Sequence, residues 1–203
     1  MFKKIKISPK AFNLALFFGL MCAIFLSFAD FNASCEDLRT NVLRLHIIAN
    51  SDSVSDQQLK LKIRDSILKE SKDLFKGAKD TNEALLIADD NTDFYCDIAN
   101  RVIKENGFSY KAEARVGDSY FETREYEDFT LPAGYYKSLI ITVGEGKGKN
   151  WWCVIFPEVC IPAATGRLSD TVSEKSNEIA ERPNRYIMRF KAVEIYENIK
   201  KLF

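Results

Sequence analysis

The sequence predicts an α+β domain behind an N-terminal export or membrane segment, and three observations carry that reading. A lysine-rich head and an apolar run open the chain. Apolar residues then recur at helical spacing from Leu59 to Ile103. From Phe108 they alternate at a period of two, before a helical pattern returns near the C-terminus. The expected architecture is two long helices, an antiparallel sheet of four to five strands and a C-terminal amphipathic helix.

Residues 1–10 hold Lys3, Lys4, Lys6 and Lys10 and no acid, and Ala11 to Ala29 are uncharged and almost wholly apolar. A basic head before an apolar run marks an export signal or a membrane anchor, and its polarity sends the rest of the chain out of the cytoplasm. Ser27-Phe28-Ala29 puts small residues at the −3 and −1 positions of a cut between Ala29 and Asp30. The run is also close to the ~20 residues that span a bilayer, so 1–29 reads as a signal peptide or a signal anchor. Residues 30–203 then form the extracytoplasmic domain, with the membrane as a partner wherever the segment stays uncut. Setting aside the four lysines, 29 basic residues fall to 25 against 29 acidic ones, a net charge of −4. Without a basic stripe, nucleic acid is not an expected partner. Asn32-Ala-Ser-Cys35 lacks the large aliphatic residue that acylation of Cys35 would want.

Leu43, Leu45, Ile47 and Ile48 form a short strand bounded by Asn50, Ser51 and Asp52. Ser55 stands three residues before Gln58 at capping-box spacing, and Leu59, Ile63 and Ile67 follow on one helix face. Asp80 and Glu83 repeat that spacing before a second helix, whose apolar positions include Leu85, Ala88, Tyr95, Ile98, Val102 and Ile103. The run Asp89-Asp-Asn-Thr-Asp93 marks a kink or break. It lacks the glycine and terminal glutamate of an EF-hand loop, so a solvated face is the better reading. Gly107 ends the helix as a left-handed cap.

Phe108, Tyr110, Ala112, Ala114 and Val116 alternate with polar residues as on a half-buried strand. Gly117-Asp118 reads as a turn, Phe121 to Tyr126 as a second strand, 131–135 as a loop and Lys137 to Val143 as a third. Gly144 to Lys149 is expected to close a hairpin onto Trp151–Phe156; it lies between strands and does not have a phosphate-loop sequence. Trp151 and Trp152 should face opposite sides of their strand, one into the core and one available to a partner. Residues 163–184 are polar and read as a mobile surface loop or a poorly packed helix. Beyond Pro183, Met188, Ala192, Ile195, Tyr196, Ile199 and Leu202 recur at helical spacing and suggest a helix docked on the sheet.

Cys153 and Cys160 flank Pro157, and a disulfide closing that loop would stabilise by about 2.5 kcal/mol on the chain-entropy model. Cys35 and Cys96 could also pair. His46 is the sole histidine. With Asp52 and Ser51 or Ser53 it supplies the residue types of a hydrolase triad, which is recognised by geometry rather than by type. One histidine excludes a multi-histidine metal site, and no metal or cofactor is expected.

Two blocks of sequence resemble a known family. Arg44-Leu-His-Ile-Ile-Ala-Asn-Ser-Asp-Ser53, with Asp56-Gln57 and Leu59 to Asp65, is similar to one signature of the stage II sporulation protein R family. Gly144-Glu-Gly-Lys-Gly-Lys-Asn-Trp-Trp-Cys-Val-Ile-Phe-Pro-Glu-Val-Cys160 is similar to the other, departing from it at Glu158-Val159. The resemblance implies an exported, non-enzymatic sporulation signal. Such a protein leaves the forespore for the space between the septal membranes. There it activates a membrane-embedded aspartic protease of the mother cell, which processes the precursor of the sigma factor, pro-sigma-E. On that reading Arg44, His46, Asn50, Asp52, Trp151 and Trp152 form or support the surface that contacts the protease. The competing classes are an extracytoplasmic hydrolase acting on septal peptidoglycan through His46, and a redox module built on Cys153 and Cys160.

Overall fold

The computed structural model describes residues 8–126, 128–157 and 168–202. Its elements are the helix α1 (Pro9–Thr40), β1 (Leu43–Ile48), α2 (Val54–Glu70), α3 (Thr81–Asp90), α4 (Thr92–Glu105) and β2 (Ala112–Phe121). The short β3 (Arg124–Glu125) and β4 (Thr130–Leu131) follow, then β5 (Gly134–Val143), β6 (Asn150–Phe156), α5 (Glu174–Glu181) and α6 (Ile187–Lys200). The fold is α+β, with a four-stranded sheet in the order β2-β5-β1-β6 and a separate two-stranded β3–β4 ribbon.

The sheet is mixed, not antiparallel. β1 lies between β5 and β6, parallel to the first (Arg44 opposite Ser138) and antiparallel to the second (His46 opposite Trp152). The expected β5–β6 hairpin is therefore split by β1. The physical reason is that Leu43, Leu45 and Ile47 need an interior place, because both flanks and both faces of this strand are covered. β2 runs unbroken through Gly117-Asp118, where the sequence suggested a turn, and pairs with β5 from Ala112 to Phe121.

Leu43, Leu45 and Ile47 point to one layer with Leu59, Ile63 and Ile67 of α2 and with Tyr95, Ile98, Val102 and Ile103 of α4. Phe108, Tyr110, Ala114 and Val116 pack against that core, as their alternation predicts. Arg44 and His46 point to the other face. Its near end is covered by Leu38 and Val42 of the α1 exit, Phe129 and Leu131 of the ribbon, and Ala180 of α5. α2 starts two residues earlier than the Ser55 spacing suggests: Ser53 is the cap, its hydroxyl accepting from the Asp56 amide at 3.2 Å. Asp80 caps α3 as expected, and the acidic run breaks the helix at Asn91. Gly107 has φ +79, and Phe108 N–H returns to the Ile103 carbonyl at 3.1 Å.

α1 is continuous through Ala29 and Asp30. Its apolar first part is exposed, and the helix is long and apolar enough to cross a membrane, with a mean hydropathy of 2.2 over its best window. Its last part belongs to the fold, with Phe31, Cys35 and Leu38 buried. Of the polar stretch 163–184, the described part is not a loose loop: α5 is capped by Ser173 and buries Ser176, Ile179 and Ala180. α6 docks mainly on α1, through Phe190, Val193 and Glu197, and its end meets the sheet at Tyr120 of β2, whose hydroxyl donates to Asn198 Oδ1 at 3.1 Å. Most of the stripe read from the sequence, including Met188, Ile195, Ile199 and Leu202, faces outward, while the partly exposed Tyr196 meets Phe28 of α1.

Candidate functional site

β1 ends at a corner that the Gly144–Lys149 loop must cross to carry the chain from β5 to β6. The loop is fastened there amide by amide. Glu145 N–H donates to Asn50 Oδ1 at 3.0 Å and Lys149 N–H to Asp52 Oδ1 at 2.7 Å. Lys147 N–H donates to the Asn50 carbonyl at 3.1 Å and Gly148 N–H to the Ala49 carbonyl at 2.8 Å. Asn50 Nδ2 and Ser51 Oγ donate to Asp56 Oδ2 at 2.9 and 2.6 Å, and the Tyr110 hydroxyl donates to Asp56 Oδ1. Burial opposes ionisation of Asp56, but these donors outweigh it and hold the carboxyl below its ordinary range. Lys60 Nζ closes the corner by donating to the Lys149 carbonyl at 2.8 Å. Asn50 and Asp52, expected at a partner surface, thus engage this corner.

Arg44 is fully buried. Its Nε donates to the Cys153 carbonyl at 3.0 Å and its Nη2 to the Tyr126 hydroxyl at 2.5 Å. The guanidinium lies 4.1 Å from the centre of the Phe121 ring and 4.9 Å from that of Tyr136. Among the described residues no carboxylate pairs with it and Nη1 finds no partner. Aromatic faces therefore do part of the work an ion pair would do.

Two residues along the same face, His46 is half-buried. Its Nδ1 is 3.2 Å from Ser119 Oγ, and its ring meets those of Phe121 and Trp152 at 5.7 and 6.4 Å. Burial lowers its basicity, the nearby Asn150 side chain opposes this in part, and the neighbouring positive charges of Arg115 and Arg44 add to the lowering. Trp152 is half-buried beside it, with the exposed Arg124 guanidinium 4.9 Å over its ring. His46 Nε2 and Trp152 Nε1 are both buried without a hydrogen-bond partner. Trp151 projects to the opposite face and is also half-buried, under Arg64 at 4.4 Å. Neither tryptophan is fully interior; each is covered by an arginine.

The structure thus brings His46 and Trp152 together on a partly open patch with Arg124 and Ser119. It puts Arg44 beneath that patch and Asn50 and Asp52 at the corner. The triad types do not converge on His46, since Ser51 bonds Asp56 and Asp52 bonds the Lys149 amide. Cys35 lies between α1 and the α5–α6 layer, where burial pushes its thiol up to about 12. Cys96 Sγ donates to the Ala112 carbonyl at 3.1 Å in the opposite layer, so these two cysteines do not pair. Cys153 is buried, and its expected bridge to Cys160 falls outside the described residues. Among the described residues no group of three or more His, Cys, Asp or Glu side chains could hold a metal ion. Ser119, Arg124 and the cage residues Phe121, Tyr126 and Tyr136 carried no signal in the sequence, because long-range pairing assembles them. Asp56 did carry one: it stands three residues after the Ser53 cap.

A sequence model of the stage II sporulation protein R family matches residues 39–165. The stage II sporulation protein R of Bacillus subtilis (strain 168) is 37% identical over 118 residues, which are 58% of this chain and 53% of that protein. The match thus spans about half the length of the curated relative. No solved structure matches.

Proposed function

The chain belongs to the stage II sporulation protein R family, and from that premise we propose that it is an exported signal that activates a membrane-embedded aspartic protease. The consequence is processing of the mother-cell sigma-factor precursor, pro-sigma-E. The carrying observation is the extent of the match: residues 39–165 take in every strand of the sheet and the corner that both sequence blocks build. The apolar α1 supports delivery, since it fits a signal or membrane anchor. Action would be in the intermembrane space of the septum, reached by export from the forespore.

The proposed contact surface is the patch around Trp152, His46 and Arg124. A half-buried aromatic face with an exposed guanidinium over it is what an interface centre uses. Arg44, Asn50 and Asp52 would support it from behind. Docking must favour the active state of the protease over its resting state, because equal affinity for both shifts nothing. The test is co-expression of the full chain with the protease and its precursor in cells lacking other sporulation proteins. Trp152→Ala and Arg124→Glu should each lower precursor cleavage at least about tenfold, the effect of losing one interface anchor. Unchanged cleavage with either variant would remove this surface.

A second reading, hydrolysis of septal wall through His46, is favoured by one contact: the Ser119 hydroxyl at 3.2 Å from Nδ1. Ser119→Ala separates the two readings. It removes the only hydroxyl described against His46 while leaving Trp152 and Arg124 in place. Retained processing favours the signal; lost processing together with lost wall hydrolysis favours the enzyme.

A further inference from the structure

α6 is apolar on two opposite sides. At about 100° per residue, Phe190, Val193 and Glu197 fall on the side docked on α1. Met188, Ile195, Ile199 and, in the following turn, Leu202 fall opposite, and they are 82%, 54%, 50% and 80% exposed. A short terminal helix does not keep four large apolar side chains in water without something to cover them.

The place of α6 in the fold identifies the cover. Phe28, at the end of the apolar run of α1, meets Tyr196 with ring centres 6.1 Å apart, and Phe31 meets Phe190 at 5.3 Å. Glu197, the next residue after Tyr196, lies 3.7 Å from Arg39. Phe28 and Arg39 are separated by about 16 Å of helical rise. Through Phe28, α6 thus touches α1 where the apolar run ends, and through Arg39 it touches the part of α1 held in the fold. With the apolar part of α1 in a bilayer, the Phe28–Tyr196 contact puts α6 next to the membrane surface. Arg189, Lys191, Lys200 and Lys201 outnumber Glu194 and Glu197, leaving the helix net positive. We propose that the outer face of α6 lies in the headgroup–acyl boundary of an anionic bilayer, which orients the sheet domain on the membrane that α1 enters. The proposal rests on the reading of α1 as a membrane segment. It concerns residues beyond the 39–165 shared with the family.

The experiment uses the full chain in vesicles of phosphatidylethanolamine and phosphatidylglycerol whose acyl chains are brominated near the headgroup. Flotation reports α1, and tryptophan emission reports α6. The Ile199→Trp variant should emit to the blue, and bromine should quench its added emission about twofold more than that of Trp151 and Trp152 in the unsubstituted chain. Ile195→Ser with Leu202→Ser in that background should reduce the quenching while flotation persists. Leu86→Trp, on the remote α3, should stay unquenched. Flotation without quenching at position 199 overturns the proposal and leaves α1 in the membrane. A bromine-insensitive blue shift that grows with protein concentration assigns the face to a second copy and overturns it too. Equal quenching at positions 86 and 199 overturns the orientation, and failure to float removes the α1 reading with it.

Discussion

Arg44 and His46 stand two residues apart on β1 and point to the same side, yet burial acts on them differently. Arg44 sits in a cage of rings, where removal leaves a void and strips a donor from the Cys153 carbonyl and from Tyr126. Arg44→Ala should cost about 2–5 kcal/mol, the range of large-to-small core changes, read as a lower urea midpoint. Arg44→Lys should recover little of this, because an ammonium neither stacks on Phe121 nor forks between two acceptors. His46 instead sheds its proton, since burial lowers its pKa from the ordinary 6.5. The unfolded chain then binds a proton that the folded one refuses, so stability is full above pH 6.5 and falls as the pH drops from 6.5 toward the folded pKa. His46→Gln should flatten the dependence of the melting temperature on pH in that window. Asp37 and Asp56, held low by hydrogen bonds against the pull of burial, act only below about pH 3.8 and leave the window clear.

At the scale of elements, the split hairpin explains why the two sequence blocks belong together. A loop from β5 to β6 has to pass over the end of β1, and the Asn50 side chain with the Ala49 and Asn50 carbonyls receives it. Gly144 and Gly146 supply the positive φ values of +57 and +60. Gly148 is needed for a different reason: a Cβ there would stand 2.3 Å from the Ser51 carbonyl oxygen, a backbone atom that cannot swing aside. Gly148→Ala should therefore destabilise the fold by about 1–3 kcal/mol, as overpacking does. Hydrogen exchange should quicken first at the Lys147, Gly148 and Lys149 amides, and unchanged protection there would contradict the fastening. The lysines and glycines of this loop resemble phosphate-binding composition but serve turn geometry and backbone fit.

At the scale of the molecule, Arg39 joins α1, the sheet and α6. It is buried, donates to the Ala133 carbonyl at 2.9 Å, pairs with Glu36 at 2.7 Å and lies 3.7 Å from Glu197. Burial works against its charge, and the Glu36 hydrogen bond with the surrounding negative charge more than restores it. Arg39→Ala leaves Glu197 buried without its partner on α1, so α6 should loosen before the sheet does. The expected result is faster exchange over 187–200 with protection of β1 and β5 retained. Equal loss in both would show that Arg39 acts on the whole core instead.

Periodicity and local chemistry determined much of this protein by themselves. The apolar face of α2, the α3–α4 break, the Gly107 cap and the half-buried β2 all follow from spacings of a few residues, where backbone geometry alone sets which side chains share a face. The two blocks that mark the family were equally legible. Tertiary structure decided the rest, because those properties depend on partners far along the chain. It put β1 between β5 and β6, and it tied Asn50 and Asp52 to a loop about 95 residues away. It surrounded Arg44 with rings from β2, β5 and the ribbon. It also chose which apolar side of α6 meets α1. Two faces of that helix were fit for burial, and only packing could decide between them.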